Sequence, residues 1–399
     1  MSSDKLPILK SIHAKNYRSL ADVDVDFGRF SVLVGPNGSG KSNLLSTLRF
    51  IRDSARTDIS TAVTAHGTFN RLHRSTDRTG GVELTIKAQI TDFASTRAPD
   101  VYTLTLEQDG SELHRKEEFT YKRTQGRGRR LGFSVDGVDA VKVEGKTTKR
   151  KSSLTLTDSS SSALGTFARI NAEWLGDGPS HFLNFLSSIR YLDPDVQAAR
   201  QPSRAGYETL LPQAANLSTV LQRISEEDPD AFETLTQDLQ ECLPGLETIE
   251  FTSRGGDALS VVTTLREKGL TQSIELADAS FGTVRMLALL AAFHDPTPPP
   301  LTVVEEVDHG LHPYALDVLV DRMRQASGRT QVIAASHSPT LVNQLAANEL
   351  ILCDRDPATG ESEIPVYTSS ELTDAQEASG RPLGELWYAG ILEGVPRHG

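Results

Sequence analysis

A glycine-rich segment near the N-terminus contains the residue types needed to hold a chain of phosphates. Residues 35–42 read Gly-Pro-Asn-Gly-Ser-Gly-Lys-Ser and satisfy the pattern GxxxxGK[ST]. An apolar run precedes them, and leucines at helical spacing follow, so the segment joins a predicted strand to a predicted helix. Small residues let backbone N–H groups surround phosphates, and the helix N-terminus adds a favourable dipole. The sequence therefore predicts a nucleotide site here.

The chemistry of this segment assigns roles to two of its side chains. Lys41 can reach the β- and γ-phosphates of a bound nucleotide, and the Ser42 hydroxyl can ligate Mg²⁺. ATP and Mg²⁺ are therefore the predicted cofactors. The predicted nucleotide-binding residues of the segment are Asn37, Gly38, Ser39, Gly40, Lys41, Ser42 and Asn43.

Two adjacent carboxylates follow the apolar run 301–304. A buried strand that ends in Glu305 and Glu306 delivers them to the edge where ligands collect in open α/β sheets. Neighbouring strand residues point to opposite faces, so the two acids have different roles. We expect Glu305 to belong to the metal shell. Its contact with the metal is expected to run through water, because Glu is one methylene longer than the Asp that usually occupies this position. We expect Glu306 to polarise the attacking water. A surface acidic pair is the alternative.

A second apolar run, 332–335, ends in a polar turn that contains His337. The imidazole can face the γ-phosphate, sense it and orient the water. The alternative is a hydrogen-bonded turn histidine. Together, Lys41, Glu306 and His337 are the predicted catalytic residues.

At these points the sequence resembles the ABC-type ATPases of the RecF, SMC and OLD-nuclease group, and the resemblance covers most of the chain. Residues 13–20 are similar to the family's "xNFRSL" entry strand. Residues 305–313 are similar to its "DEPExGLHP" segment, with Val307 and Asp308 in place of Pro and Glu. Residues 276–283 are similar to its "LSDGT" signature.

The resemblance implies a nucleotide site that two chains share. Ser280 and Gly282 match the signature positions, so the helix that begins near Ser280 is expected to point at the γ-phosphate held by the opposite subunit of an ATP-dependent, head-to-tail homodimer. Asp308 is expected near this interface, and Arg18 beside the nucleotide. An ordinary helix N-cap is the alternative for Ser280, and a solvated strand arginine is the alternative for Arg18.

The pattern of the chain predicts an α/β fold with a β-rich insertion and a small helical lobe. The resemblance implies that this fold is a P-loop NTPase head of the ABC type, with a mixed sheet and flanking helices. Strands that alternate with helices near the C-terminus indicate a parallel sheet covered on both faces. The predicted segments are 1–80 and 259–399 for the two parts of the ATPase core, 81–190 for the β-rich insertion with basic loops, and 191–258 for the helical lobe.

Two segments outside these motifs point to partners. Residues 115–151 are rich in Lys and Arg within a chain of net charge −12, so they can contact DNA phosphates or an acidic partner, or form solvated loops. Near the C-terminus, Leu383, Leu386, Trp387 and Ile391 fall on one side of an amphipathic segment. That segment is expected to dock on its own domain, with presentation of Trp387 to another protein as the alternative.

Two functions from different classes remain open at this level. One is an ATPase sensor or motor in bacterial defence that controls a separate effector such as a nuclease, since no acidic nuclease cluster follows His337. The other is a RecF-like, DNA-binding repair or clamp ATPase. Two cysteines without a CxxC pattern fit a reducing compartment, and no apolar run is long enough for a membrane span, so a cytoplasmic protein is expected.

Overall fold

The structure, a computed structural model, describes residues 6–74, 80–110, 112–123, 130–144, 153–156, 158–169, 174–204, 206, 209–254 and 260–392. Its strands are β1 (Ile8–Tyr17), β2 (Leu20–Asp26), β3 (Phe30–Val34), β4 (Val82–Gln89), β5 (Asp100–Asp109), β6 (Glu112–Lys122), β7 (Arg130–Asp136), β8 (Asp139–Glu144), β9 (Ser153–Thr155), β10 (Arg190–Leu192), β11 (Ser203–Arg204), β12 (Leu246–Arg254), β13 (Ser260–Glu267), β14 (Ile274–Glu275), β15 (Leu301–Val304), β16 (Gln331–Ser336), β17 (Leu350–Leu352), β18 (Asp354–Arg355) and β19 (Ser362–Glu363).

The helices fill the spaces between and beside these strands. They are α1 (Lys41–Arg56), α2 (Ile59–Ala65), α3 (Phe69–Leu72), α4 (Ala163–Arg169), α5 (Gly178–Ser188), α6 (Val196–Ala199), α7 (Leu217–Glu227), α8 (Pro229–Cys242), α9 (Phe281–Phe293), α10 (Pro313–Ala326), α11 (Pro339–Val342), α12 (Ser369–Ser379) and α13 (Leu383–Tyr388). In the part of the chain that the structure describes, none of these helices has the length and apolar character that a membrane crossing requires.

A parallel sheet of order β10-β15-β16-β3-β17 carries the predicted motifs, as the sequence indicated. Its strands are apolar and buried on both faces. Leu33, Val303 and Ile333 belong to one hydrophobic core, whereas Val32 and Val304 belong to the other. The sheet therefore lies between two cores, and its carboxyl edge is where polar side chains emerge.

An eight-stranded antiparallel sheet of order β2-β1-β4-β5-β6-β7-β8-β9 contains the predicted β-rich region. Helices α1, α4 and α5 pack together, and α4 contacts β6. Phe119, Tyr121 and Phe133 are buried, as their alternation predicts. Strand β4 pairs directly with β1, β10 crosses the boundary at 190/191, and β12 pairs with β13 across the boundary at 258/259. All three predicted segment boundaries thus run through sheets, and the four-part division stays a prediction.

The helical lobe consists of α7 and α8, with Pro229 in the first turn of α8. It is fixed to the core by buried polar groups. The carboxylate of Asp238 on α8 lies 2.6 Å from His294 Nε2 and accepts a 2.5 Å hydrogen bond from Arg322 of α10. Because both partners lie outside the lobe, the lobe and the rest of the protein are joined by more than apolar contact.

One basic residue of segment 115–151 does not contribute to a cationic surface. Arg115 is 2% exposed and donates a 2.9 Å hydrogen bond to the fully buried Glu117. Its charge is neutralised inside the domain, so Arg115 does not belong to the cationic surface predicted for this segment. Arg123 is exposed, whereas the predicted cations within 124–129 and 145–152 lie outside the described residues.

The C-terminal segment docks on its own domain, as expected. Helix α13 packs against α11, and Trp387 is 3% exposed. Ile391 was predicted on the buried side, but it is 58% exposed because the helix ends at Tyr388 and the chain then turns. The buried position belongs to Leu392 instead.

We predict that Glu117→Gln destabilises the protein by about 3 kcal/mol, because it leaves the buried Arg115 charge uncompensated. Glu117 also accepts hydrogen bonds from the Tyr102 hydroxyl and from the first amides of α4. The free energy of unfolding in urea measures the change. Glu118→Gln is the matched control, since Glu118 is exposed on the same strand and its loss should cost under about 0.5 kcal/mol. Equal destabilisation by the two variants contradicts this account.

Candidate nucleotide-binding site

The backbone of the glycine-rich segment has the shape that its residues predict. Gly38 and Gly40 have φ angles of 83° and 103°, in the left-handed region that glycine adopts without cost. A Cβ at Gly40 would lie 2.1 Å from Ser362 Oγ, and one at Gly35 would lie 2.1 Å from the Cys353 carbonyl oxygen. Backbone shape and close packing together require glycine at these positions.

Lys41 opens helix α1 and folds back over the loop. Its Nζ donates hydrogen bonds to the carbonyl oxygens of Gly35, at 2.7 Å, and Pro36, at 2.9 Å. Burial lowers the pKa of Lys41. The N-cap residue Gly40 has no side chain to satisfy the first amides of α1. The loop thus presents one cation and a helix N-terminus to the same space, an arrangement suited to phosphate.

A cavity of about 350 Å³ brings together most of the predicted site residues. Ser39 is buried beside it, with its hydroxyl 3.5 Å from Lys41 Nζ. Sequence reasoning missed Arg355, which follows β17 in a segment without a recognised motif. The cavity is lined by Asn37, Gly38, Gly40, Lys41, Ser42, Asn43, Glu306, Ala335, Ser336, His337 and Arg355.

Glu306 lines the cavity from a strained backbone position. Its φ angle is 49°, which is unusual for a residue with a side chain and costs on the order of 1–3 kcal/mol. The buried Arg285 of α9 donates a 2.7 Å hydrogen bond to the Glu306 carbonyl oxygen and holds this conformation. The hydrogen bond with His309, at 3.0 Å, holds the pKa of the Glu306 carboxyl below its ordinary value. Glu306 is therefore an ionised acceptor at neutral pH.

His337 is oriented by a buried carboxylate. Its Nδ1 lies 3.3 Å from an oxygen of Asp308, and its backbone amide donates to the other Asp308 oxygen at 3.4 Å. Asp308 is 8% exposed, whereas the His337 side chain is 49% exposed. A fixed acid behind a solvent-facing imidazole sets which ring nitrogen faces the cavity. The predicted position of Asp308 near a subunit interface stays a prediction. Within its own chain, Asp308 orients His337.

Glu305 is not among the described residues that line this cavity, and it pairs with a helix residue instead. Its carboxylate accepts from Arg49 of α1 at 2.8 Å, and the Glu305 side chain is 18% exposed. The Arg49 and Arg52 guanidinium groups each lie 4.8 Å from the centre of the Tyr191 ring. Ser42 and Glu306 line the cavity, and oxygen ligands of this kind fit Mg²⁺ carried by phosphates and water. The predicted contact of Glu305 with the metal through water stays a prediction.

The signature residues lie at a second cavity of about 310 Å³. Ser280 caps α9 by accepting from the Thr283 amide, and Gly282 packs so closely that a Cβ there would lie 3.0 Å from the Gly310 carbonyl oxygen. The described residues lining the two cavities are different. Arg18 lies outside both cavities and donates to the His66 carbonyl oxygen at 3.4 Å. Its contact with nucleotide stays a prediction.

This fold and site define a P-loop protein with an ABC-type head fold, the fold of SMC heads. Over residues 30–343 the chain matches the family described as "AAA domain, putative AbiEii toxin, Type IV TA system", and it belongs to that family. No curated protein matches the chain.

Solved structures show the same fold at low sequence identity. An SMC head bound to the C-terminal winged-helix domain of ScpA is similar with a TM-score of 0.53 and 15% identity, covering 92% of this chain and 99% of that one. The SMC head with an extended coiled coil from Pyrococcus furiosus, bound to the C-terminal domain of ScpA, gives a TM-score of 0.51 and 12% identity, covering 94% and 100%. These similarities establish the architecture of the head.

We predict that Lys41→Ala weakens ATP binding by about a hundredfold, because the loop loses the cation that faces the phosphates. Equilibrium dialysis with ATP measures the change. Lys15→Ala, at an exposed position on β1, is the matched control and should bind ATP as the unaltered protein does. Retention of full affinity by Lys41→Ala contradicts the assignment of this cavity.

Proposed function

We propose that the protein binds and hydrolyses ATP, with Lys41, Glu306 and His337 as its catalytic residues. The observation that carries this proposal is the convergence of the phosphate loop, an ionised carboxylate and an oriented imidazole on one cavity. Hydrolysis of a phosphoanhydride needs these three elements: positioned phosphates, a group that polarises water, and stabilisation of the terminal phosphate.

Each catalytic group has a defined task in this proposal. Glu306 accepts a hydrogen bond from the attacking water and takes up its proton, and Arg285 keeps the Glu306 backbone in place. His337 contacts the terminal phosphate, with its orientation set by Asp308. Ser42 and, through water, Glu306 would hold Mg²⁺, which when bound neutralises part of the phosphate charge.

The signature residues complete the site in trans. In this structure Ser280 lies at the N-terminus of α9, on a surface separate from the phosphate loop of the same chain. A second copy, docked head to tail, can place that N-terminus against the γ-phosphate and add a favourable dipole. Because this contact exists only with the triphosphate, ATP stabilises the homodimer and hydrolysis releases it.

We further propose that this cycle controls a separate protein effector, such as a nuclease, in bacterial defence. The family description names a toxin in a toxin–antitoxin system, which supports a defence role with a protein partner. The net charge of −12 argues against a generally basic, DNA-coating surface and so favours a protein effector over a DNA clamp. Salt-dependent DNA binding by the purified protein alone would reverse that preference.

We predict that Glu306→Gln binds ATP, hydrolyses it slowly and accumulates as a dimer, because the amide cannot take a proton from water. Sedimentation velocity with and without ATP measures the dimer. Adding Ser280→Arg to this variant should abolish the dimer by placing a bulky side chain at the docking surface. Ser370→Arg, in the exposed first turn of α12, is the matched control and should leave the dimer intact. A dimer that survives Ser280→Arg excludes the shared site.

We predict that Asp308→Asn lowers kcat about 10- to 100-fold while ATP affinity is kept, since the amide orients His337 poorly. Steady-state kinetics and dialysis measure the two quantities. His337→Ala should lower kcat by a similar factor, and the double variant should be no worse than the single ones, because both act through one imidazole. Multiplicative losses in the double variant refute the coupling.

A further inference from the structure

Arg355 lies in the wall of the nucleotide cavity although no motif contains it. It belongs to β18, which pairs with β19 in a short hairpin after the edge strand β17 of the parallel sheet. The side chain is exposed, in contrast to the buried Arg115 and Arg285, which serve the interior of the protein. Arg355 and Lys41 are the two cations in the described lining of this cavity.

The guanidinium of Arg355 is held at one end. Its Nε donates a 3.0 Å hydrogen bond to the Gly360 carbonyl oxygen across the hairpin. Its Nη1 is the nearest atom to a Cβ placed on Gly38, at 3.8 Å, so the group lies directly beside the phosphate loop. Within the described part of the chain, the two terminal amino groups donate to no acceptor. The planar group is thus oriented by the protein while its outer donors remain available.

The hairpin that carries Arg355 is tied to the N-terminal strands. Arg74 donates to the carbonyl oxygens of Thr359 and Gly360 and pairs with Glu361 at 3.0 Å. The residue after Glu361 is Ser362, whose hydroxyl donates a 2.6 Å hydrogen bond to Ser19 Oγ. The same Ser19 oxygen accepts a 2.7 Å hydrogen bond from Asn43 of α1. These hydrogen bonds connect the hairpin, through Ser19, to the first turn of the helix that follows the phosphate loop. A hairpin fixed in this way holds Arg355 in a constant position relative to the loop.

From this geometry we infer that Arg355 binds the terminal phosphates of the nucleotide within the same chain. The inference rests on the proposed ATP site. A guanidinium presents paired donors that match phosphate oxygens, whereas the ammonium of Lys41 acts as a point charge. The guanidinium lies beside Gly38 of the phosphate loop, so we assign the contact to the phosphates rather than to the nucleoside.

The test compares Arg355→Gln with the unaltered protein for ATP, ADP and AMP by equilibrium dialysis. Loss of a charge-assisted contact should raise the Kd for ATP about 10- to 100-fold, raise that for ADP less, and leave that for AMP unchanged. Arg355→Lys keeps the charge without the paired donors and should fall between the two proteins. Arg381→Gln, at an exposed position before α13, is the matched control and should bind all three nucleotides normally.

The outcomes separate this inference from the proposed function. If Lys41→Ala loses ATP and Arg355→Gln does not, the inference is wrong and the ATP site stands. If the unaltered protein binds no ATP, the proposed function itself fails. An equal loss of ATP and AMP in Arg355→Gln, or a lowered melting temperature without nucleotide in both Arg355 variants, overturns the phosphate contact in favour of a structural role.

Discussion

The parallel pairing of β3 with β16, and of β16 with β15, determines where every charged group of the site can lie. Val34 is opposite Ser336, and Val304 is opposite Ala334, so the three strands end at nearly one level. A parallel sheet buried on both faces leaves its carboxyl edge as the place where polar residues can leave the strands. Each strand is followed at this edge by one part of the site: the phosphate loop follows β3, Glu306 follows β15 and His337 follows β16.

The carboxylates at this edge are kept distinct by the partners that surround them. Asp308 is buried and positions His337, Glu306 is exposed and faces the cavity, and Glu305 is paired with Arg49. Three acids within four positions would repel one another if all faced one space. Their separation leaves Glu306 as the described carboxylate that lines the cavity, so the site combines two cations with one anion where the proposed triphosphate would bind.

The sequence predicted those features of the site that are determined by residues close together in the chain. The phosphate loop, the strand before Glu306 and the Ser280 N-cap each depend on neighbouring residues, and their patterns predicted the elements almost to the residue. It missed Arg355 and Arg285 because each reaches the site only through tertiary packing, from a hairpin and from a helix face with no motif. For Glu305 it predicted the emergence from the strand but not the pairing with Arg49, which lies on a helix far away in sequence.

Helix α9 links the predicted dimer surface to Glu306, the proposed catalytic carboxylate. Ser280 caps its N-terminus, and Arg285, in the second turn, donates to the Glu306 carbonyl oxygen. Val284 to Phe293 are all buried, so the helix is packed on every side and moves as a rigid body if it moves at all. In the proposed homodimer, a displacement of α9 on docking would shift Arg285 and with it the strained backbone of Glu306. Because the same helix would meet the partner and support the proposed catalytic residue, assembly and hydrolysis would be mechanically connected within one chain.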